Sequence, residues 1–152
     1  MKTLSSAFNA ATALAILGWL ALFGYPLWPH SARSLVLVIA IGMLCALYTY
    51  FLFFARHLDE PGTRIKGGFS SLAGVISLFK SPRVVLVGWI HFLAFDLMVG
   101  LFIVTDAARQ SITHWWLLPV LFLTLMFGPA GLLLYLAMRY LFSPAALAIA
   151  LS

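Results

Sequence analysis

The chain has 152 residues, of which 64% are hydrophobic and 9% charged, with a mean hydropathy of +1.08 and a formal net charge of +5. A soluble domain of this length needs far more polar surface to cover its core, so the composition excludes a water-soluble globular protein and makes lipid the solvent for most side chains. The lone Cys45 excludes an intrachain disulfide and reads as a small apolar residue, buried or facing lipid.

Four segments have membrane-crossing length: 6–29, 34–55, 84–105 and 115–138. Each is close to the ~20 residues that traverse a hydrocarbon core. They contain no Lys, Arg, Asp or Glu except Asp96. The first follows Lys2 as a secretory signal would, but it is too long for the apolar core of one and runs into GYPLWPHSAR, which has no convincing small-residue cleavage site. It is read as a retained helix. The second carries Cys45 about midway.

The connection 56–83 holds Arg56, Arg64, Lys66, Lys80 and Arg83, against Arg33 alone and Arg109 alone in the other two. Cation-rich short loops stay cytoplasmic, which places the middle connection and both termini inside. Topology and anionic headgroups then account for the net charge, with no role for nucleic acid. Trp28, Trp115 and Trp116 fall at the expected outer ends, where amphipathic rings favour the interface. Within the middle connection, RHLDEPGTRIKGG reads as exposed turn. Phe69, Leu72, Ile76 and Phe79 then give one apolar face to a short helix that ends at Pro82 and lies along the membrane surface or packs as a linker. The expected architecture is one all-α transmembrane domain over 1–152, with four transmembrane helices, both termini cytoplasmic and a short amphipathic interfacial helix between the second and third spans.

A carboxylate at mid-span costs roughly 2.5 to 3.5 kcal/mol to insert, so Asp96 is expected to face protein or water and is the leading candidate for a functional group. His91 lies five residues earlier, and at about 100° per residue the two side chains diverge by roughly 140°. They are not a stacked pair, and each must find partners on other helices. Helix rise places Tyr48 and Tyr50 at the level of His91, Thr124 at the level of Asp96, and Asn9 with Tyr135 in a second layer nearer the cytoplasm. The competing reading for these groups is interhelical hydrogen-bond glue, worth about 0.6 to 2 kcal/mol each.

In LMFGPAGLLLYLAMRY, Pro129 predicts a kink near mid-membrane, and Gly128, Ala130 and Gly131 leave a notch for another helix or a flat apolar ligand. Trp89 and Phe92 are further candidates for contact with such a ligand, and Phe95 and Phe102 offer rings that either line a channel for it or face acyl chains. Only His91 is deep, which excludes a bis-histidine haem. No metal-ligand cluster, phosphate loop or nucleophile elbow is present, so neither a metal nor a cofactor is expected. One acid, one imidazole and an apolar surround suit proton movement, or recognition of a hydrophobic molecule with few polar groups.

The runs SLAGVISLFKSPRVVLVGWIHFLAFDLMVG and TDAARQSITHWWLLPVLFLTLMFGPAGLLLYLAMR closely resemble the small four-helix membrane family that contains the plant neoxanthin synthase, the abscisic-acid-deficient-four type. The earlier FNAATALAILGWLALFGYP is also similar, so the resemblance covers nearly the whole chain. MVGLFIV departs from the family pattern of FVG followed by a polar or charged residue near Leu101, which puts a ligand contact there in doubt. The resemblance implies involvement in carotenoid chemistry: the plant member is associated with conversion of violaxanthin to neoxanthin, which opens an epoxide to an allene and an alcohol without net redox change. It makes Asp96 the candidate acid and His91 the candidate base, or the reverse, and gives a cofactor-independent isomerase of carotenoid or isoprenoid lipids. Tyr48, Tyr50, Trp89, Phe92, Thr124 and Pro129 are the residues expected around the ligand. The alternative is a non-catalytic subunit that binds a pigment, quinone or lipid within a larger membrane complex. Proton conduction ranks last, for want of a continuous polar chain. Expected partners are membrane lipid, an isoprenoid-type ligand and either a second copy or a larger membrane complex, with the bacterial inner membrane as the site.

Overall fold

The computed structural model describes residues 1–59 and 67–142, and among these every regular element is helical. Long helices cover Lys2–Phe23, Pro29–Phe54, Pro82–Arg109 and Leu117–Phe142, with a short helix over Leu72–Leu78 in the middle connection. By length and composition the four long helices match the expected spans, and the chain is an integral membrane protein.

The third long helix is the centre of the bundle. It buries Leu86, Ile90, Leu93, Leu97, Leu101 and Val104 on one side, and Arg83, Val87, Ala94, Asp96, Ile103 and Ala107 on others. The first helix packs on it through the small residues Ala11, Ala15 and Gly18, spaced so that they share one face. Gly18 sits under Leu97 and Ala40, and Gly100 under Trp19 and Leu22; a Cβ at either would press on those side chains at about 3 Å. Lipid tails are as apolar as leucine, so close backbone approach at small residues holds such helices together. Ile16, Leu20, Val38, Phe53, Phe122 and Leu133 point outward and are exposed, as expected where acyl chains replace a protein partner.

The second long helix is continuous but contains π-helical turns over Leu35–Ile41 and Tyr50–Phe54. The lower π turn leaves carbonyls for a partner outside the helix. Arg83, buried at the start of the third helix, donates from one Nη to the carbonyls of Phe51 and Leu52 at 2.9 and 3.4 Å, and grips Asp59 through Nε and its other Nη, both at 2.9 Å. Arg83 had been counted among the loop cations that set orientation. It is instead a buried clamp, because a guanidinium fork can satisfy two carbonyls and a carboxylate together.

The short helix is capped by Ser71, whose hydroxyl accepts from the Gly74 backbone N–H at 3.1 Å. Phe69 and Leu72 are 85% and 77% exposed, so most of its apolar face has no protein to cover it. Phe79 is the exception, lying against Gly88.

The fourth long helix departs from expectation. Phe127 has φ −145° and ψ 62°, outside the helical region. The break reverses the chain: a Cβ on Gly131 would collide with the backbone of Thr124, seven residues earlier, which a straight or gently kinked helix holds about 10 Å away. The segment is therefore a helical hairpin of two half-helices, 117–126 and 128–142. The first descends beside the third helix to the level of Asp96, and the second returns toward Asp106. Pro129 falls in the first turn of the returning half, where its missing N–H costs nothing and its fixed φ favours a new start. Hence the predicted kink is a reversal. The end of the fourth span was expected on the same side as the N-terminus; Arg139, near that end, lies instead beside Asp106, at the end of the bundle opposite Met1 and Pro82. The C-terminal residues 143–152 lie outside the described residues, as does 60–66 of the middle connection.

Candidate functional site at the helix reversal

Asp96 is 7% exposed and faces the reversal of the fourth helix. Its carboxylate lies so near the Gly128 backbone that a Cβ there would overlap Oδ1, so the approach is open only to glycine. Gly128 begins the returning half-helix, whose first N–H groups have no partner within that helix and carry the positive end of its dipole. Broken backbone at membrane depth persists only where protein covers it or a cavity opens, and here the third helix covers it with a carboxyl group. Asp96 Oδ2 is fully buried and has no hydrogen-bond partner.

Thr124 lies at the reversal too, buried against Gly131, but its hydroxyl donates to the Val120 carbonyl at 2.8 Å within its own half-helix. Pro129 is exposed at the turn.

His91 occupies the opposite, outward side of the third helix. Its ring stacks on Phe95 at 4.4 Å and meets Tyr48 of the second helix at 5.7 Å. Tyr50 is not part of this group; its ring meets Phe51 edge-on at 5.2 Å. Trp89 stacks between Phe8 and Phe92, at 5.3 and 5.6 Å, and its indole N–H donates to Thr12 Oγ1 at 3.0 Å. The structure thus brings His91 and Tyr48 together, and Trp89 and Phe92 together, but it keeps Asp96 apart from them. An acid and a base acting on neighbouring atoms from His91 and Asp96 are not assembled by this bundle.

The pairing of Asn9 with Tyr135 is corrected. Asn9 is exposed near Lys80 and Pro82, whereas Tyr135 lies at the other end, fully buried. Depth was counted along an unbroken fourth helix, and every residue after Phe127 was displaced by the reversal. Tyr135 donates to Asp106 Oδ2 at 2.6 Å, and Arg139 Nε approaches the same oxygen at 2.7 Å as an ion pair without an aligned hydrogen bond. Phe102 adds an edge-on ring contact to Tyr135. This cluster was missed as a unit, although TDAARQ and the Tyr135/Arg139 pair, one turn apart, were visible signals. His114 adds a contact to the Phe23 carbonyl at 2.9 Å, tying the start of the hairpin to the first helix.

Among the described residues no three His, Cys, Asp or Glu side chains gather as a metal site. No curated protein and no solved structure matches the chain. A family model does: residues 6–135, which include Asp96, the first half-helix, the reversal and the returning half-helix as far as Tyr135, match the one described as ABA DEFICIENT 4-like, and the chain belongs to that ABA4-like family.

Proposed function

We propose that the protein modifies a carotenoid or related isoprenoid lipid within the bilayer, with Asp96 as its proton-transfer group. The observation that carries this reading is a buried carboxyl with an unpartnered oxygen at a glycine-lined break in a transmembrane bundle, in a chain of the ABA DEFICIENT 4-like family. Intramembrane acids are costly and face the bundle interior mainly where they do work.

For an epoxide-to-allene isomerisation the balance is simple. Protonated Asp96 gives its proton to the epoxide oxygen as the carbon–oxygen bond breaks, leaving an alcohol. A C–H bond on the adjacent polyene carbon supplies the electron pair for the new double bond, and its proton returns to the carboxylate. The group ends as it began, and no oxidant or reductant is consumed. One carboxyl suffices, so His91 on the outward face is not required as the base. Its stack with Phe95 and Tyr48 suits contact with a flat polyene.

Expression in carotenoid-producing cells tests this directly. The pigment profile should change, and Asp96→Asn should abolish the change while the protein still accumulates in the membrane. An unchanged profile with several epoxy-carotenoids overturns it. The exposed Tyr48–His91–Phe95 stack supports a second reading, a pigment- or quinone-binding subunit of a larger complex. Purification in mild detergent separates the two: a colourless chain without a partner removes the second. The cation-rich middle connection supports an inner-membrane location with the N-terminus inside.

A further inference from the structure

A groove of about 530 Å³ opens where the start of the first helix meets the start of the third, at the end of the bundle opposite Asp106. Leu4, Phe8, Val85, Leu86 and Trp89 give it an apolar wall, and Lys80 is also part of its lining. Lys80 is exposed, and among the described residues no carboxylate pairs with it; Asp59 is held by Arg83. The short helix that ends just before Lys80 exposes Leu72 and Ile76 at 77% and 56%. A helix with an uncovered apolar face settles at the boundary between headgroups and acyl chains. That sets Lys80 at headgroup level and the apolar wall immediately beneath it.

We propose that this groove is a binding site for one anionic phospholipid, its phosphate on Lys80 and an acyl chain along Phe8, Val85 and Trp89. The occupant is a membrane lipid rather than a soluble phosphate, because the wall beside the cation is apolar and suits an acyl chain. Charge decides the headgroup: the lysine has no partner among the described residues and complements an anion. The site is separate from Asp96, and its test does not depend on catalysis.

The purified full chain in mild detergent is mixed with phosphatidylglycerol or phosphatidylcholine of identical acyl chains, and bound lipid is counted by native mass spectrometry. Phosphatidylglycerol should be retained about fivefold better, the factor one basic side chain contributes near an anionic headgroup. Lys80→Gln should bring the ratio near one, and so should Asn9→Asp, which places an anion in the groove lining. Lys2→Gln, outside that lining, should leave the ratio unchanged. Equal retention of the two lipids, or an equal loss from Lys2→Gln and Lys80→Gln, overturns the proposal.

Discussion

Replacing Gly131 with alanine separates a hairpin from a continuous fourth helix by the sign of its effect. In a continuous helix, glycine is destabilising relative to alanine by about 0.8 to 1 kcal/mol, so Gly131→Ala would strengthen the protein. In the hairpin the added methyl meets Oγ1, the backbone N and the Cα of Thr124. Backbone cannot swing aside as a flexible side chain does, so the half-helices must separate, at about 1 to 3 kcal/mol for overpacking. The two arrangements therefore differ by roughly 2 to 4 kcal/mol. Gly42→Ala is the internal control: a Cβ there meets only the Leu37 carbonyl, at an ordinary 3.7 Å, so it should stabilise by a few tenths to 1 kcal/mol. Both variants are measured by SDS-driven unfolding in mixed micelles, followed by tryptophan fluorescence. If Gly131→Ala proves as stable as the parent, or more so, the reversal at Phe127 is wrong.

The remaining expectations use the same assay unless stated. Arg83→Met should cost about 3 to 5 kcal/mol, because it strands Asp59 and two carbonyls of the second helix; a loss under about 1 kcal/mol would mean the clamp is replaced by water. Tyr135→Phe removes a hydrogen bond to a charged group and should cost about 1.5 kcal/mol, and in an Asp106→Asn background its cost should fall, since the two share one contact. Trp89→Phe keeps ring stacking but loses the bond to Thr12, so a loss of only about 0.6 kcal/mol is expected; a much larger one would show that the indole does more than join two helices. In a Cys45→Ala background, single cysteines at Ser111 and Tyr140 should react with an impermeant maleimide from the same side of oriented vesicles. A cysteine replacing Tyr140 that instead reacts from the Lys2 side would favour a full crossing.

The spans rest on composition, which a sequence carries in full. Apolar runs of about twenty residues locate the long helices without knowledge of their neighbours, and a charge alone in such a run marks Asp96. The divergence of His91 from Asp96 was likewise legible, since it follows from the pitch of a single helix. Thr124 was placed near the level of Asp96, and the structure puts it at the reversal, because it precedes Phe127. Tyr135 was not, because it follows Phe127 and depth there runs backwards. Hydropathy reports how apolar a segment is and carries no direction, so it reads a hairpin and a crossing alike. Gly128–Pro129 is a turn signal as well as a kink signal, and its sense depends on whether Gly131 can lie against Thr124.

What the sequence alone determined is the solvent, the helices and the one acid out of place. Tertiary structure decided which polar groups meet: Arg83 with Asp59, Tyr135 and Arg139 with Asp106, and Asp96 with the backbone of Gly128. Each of these joins residues far apart in the chain, and their distance depends on how helices turn and pack, which local periodicity does not encode.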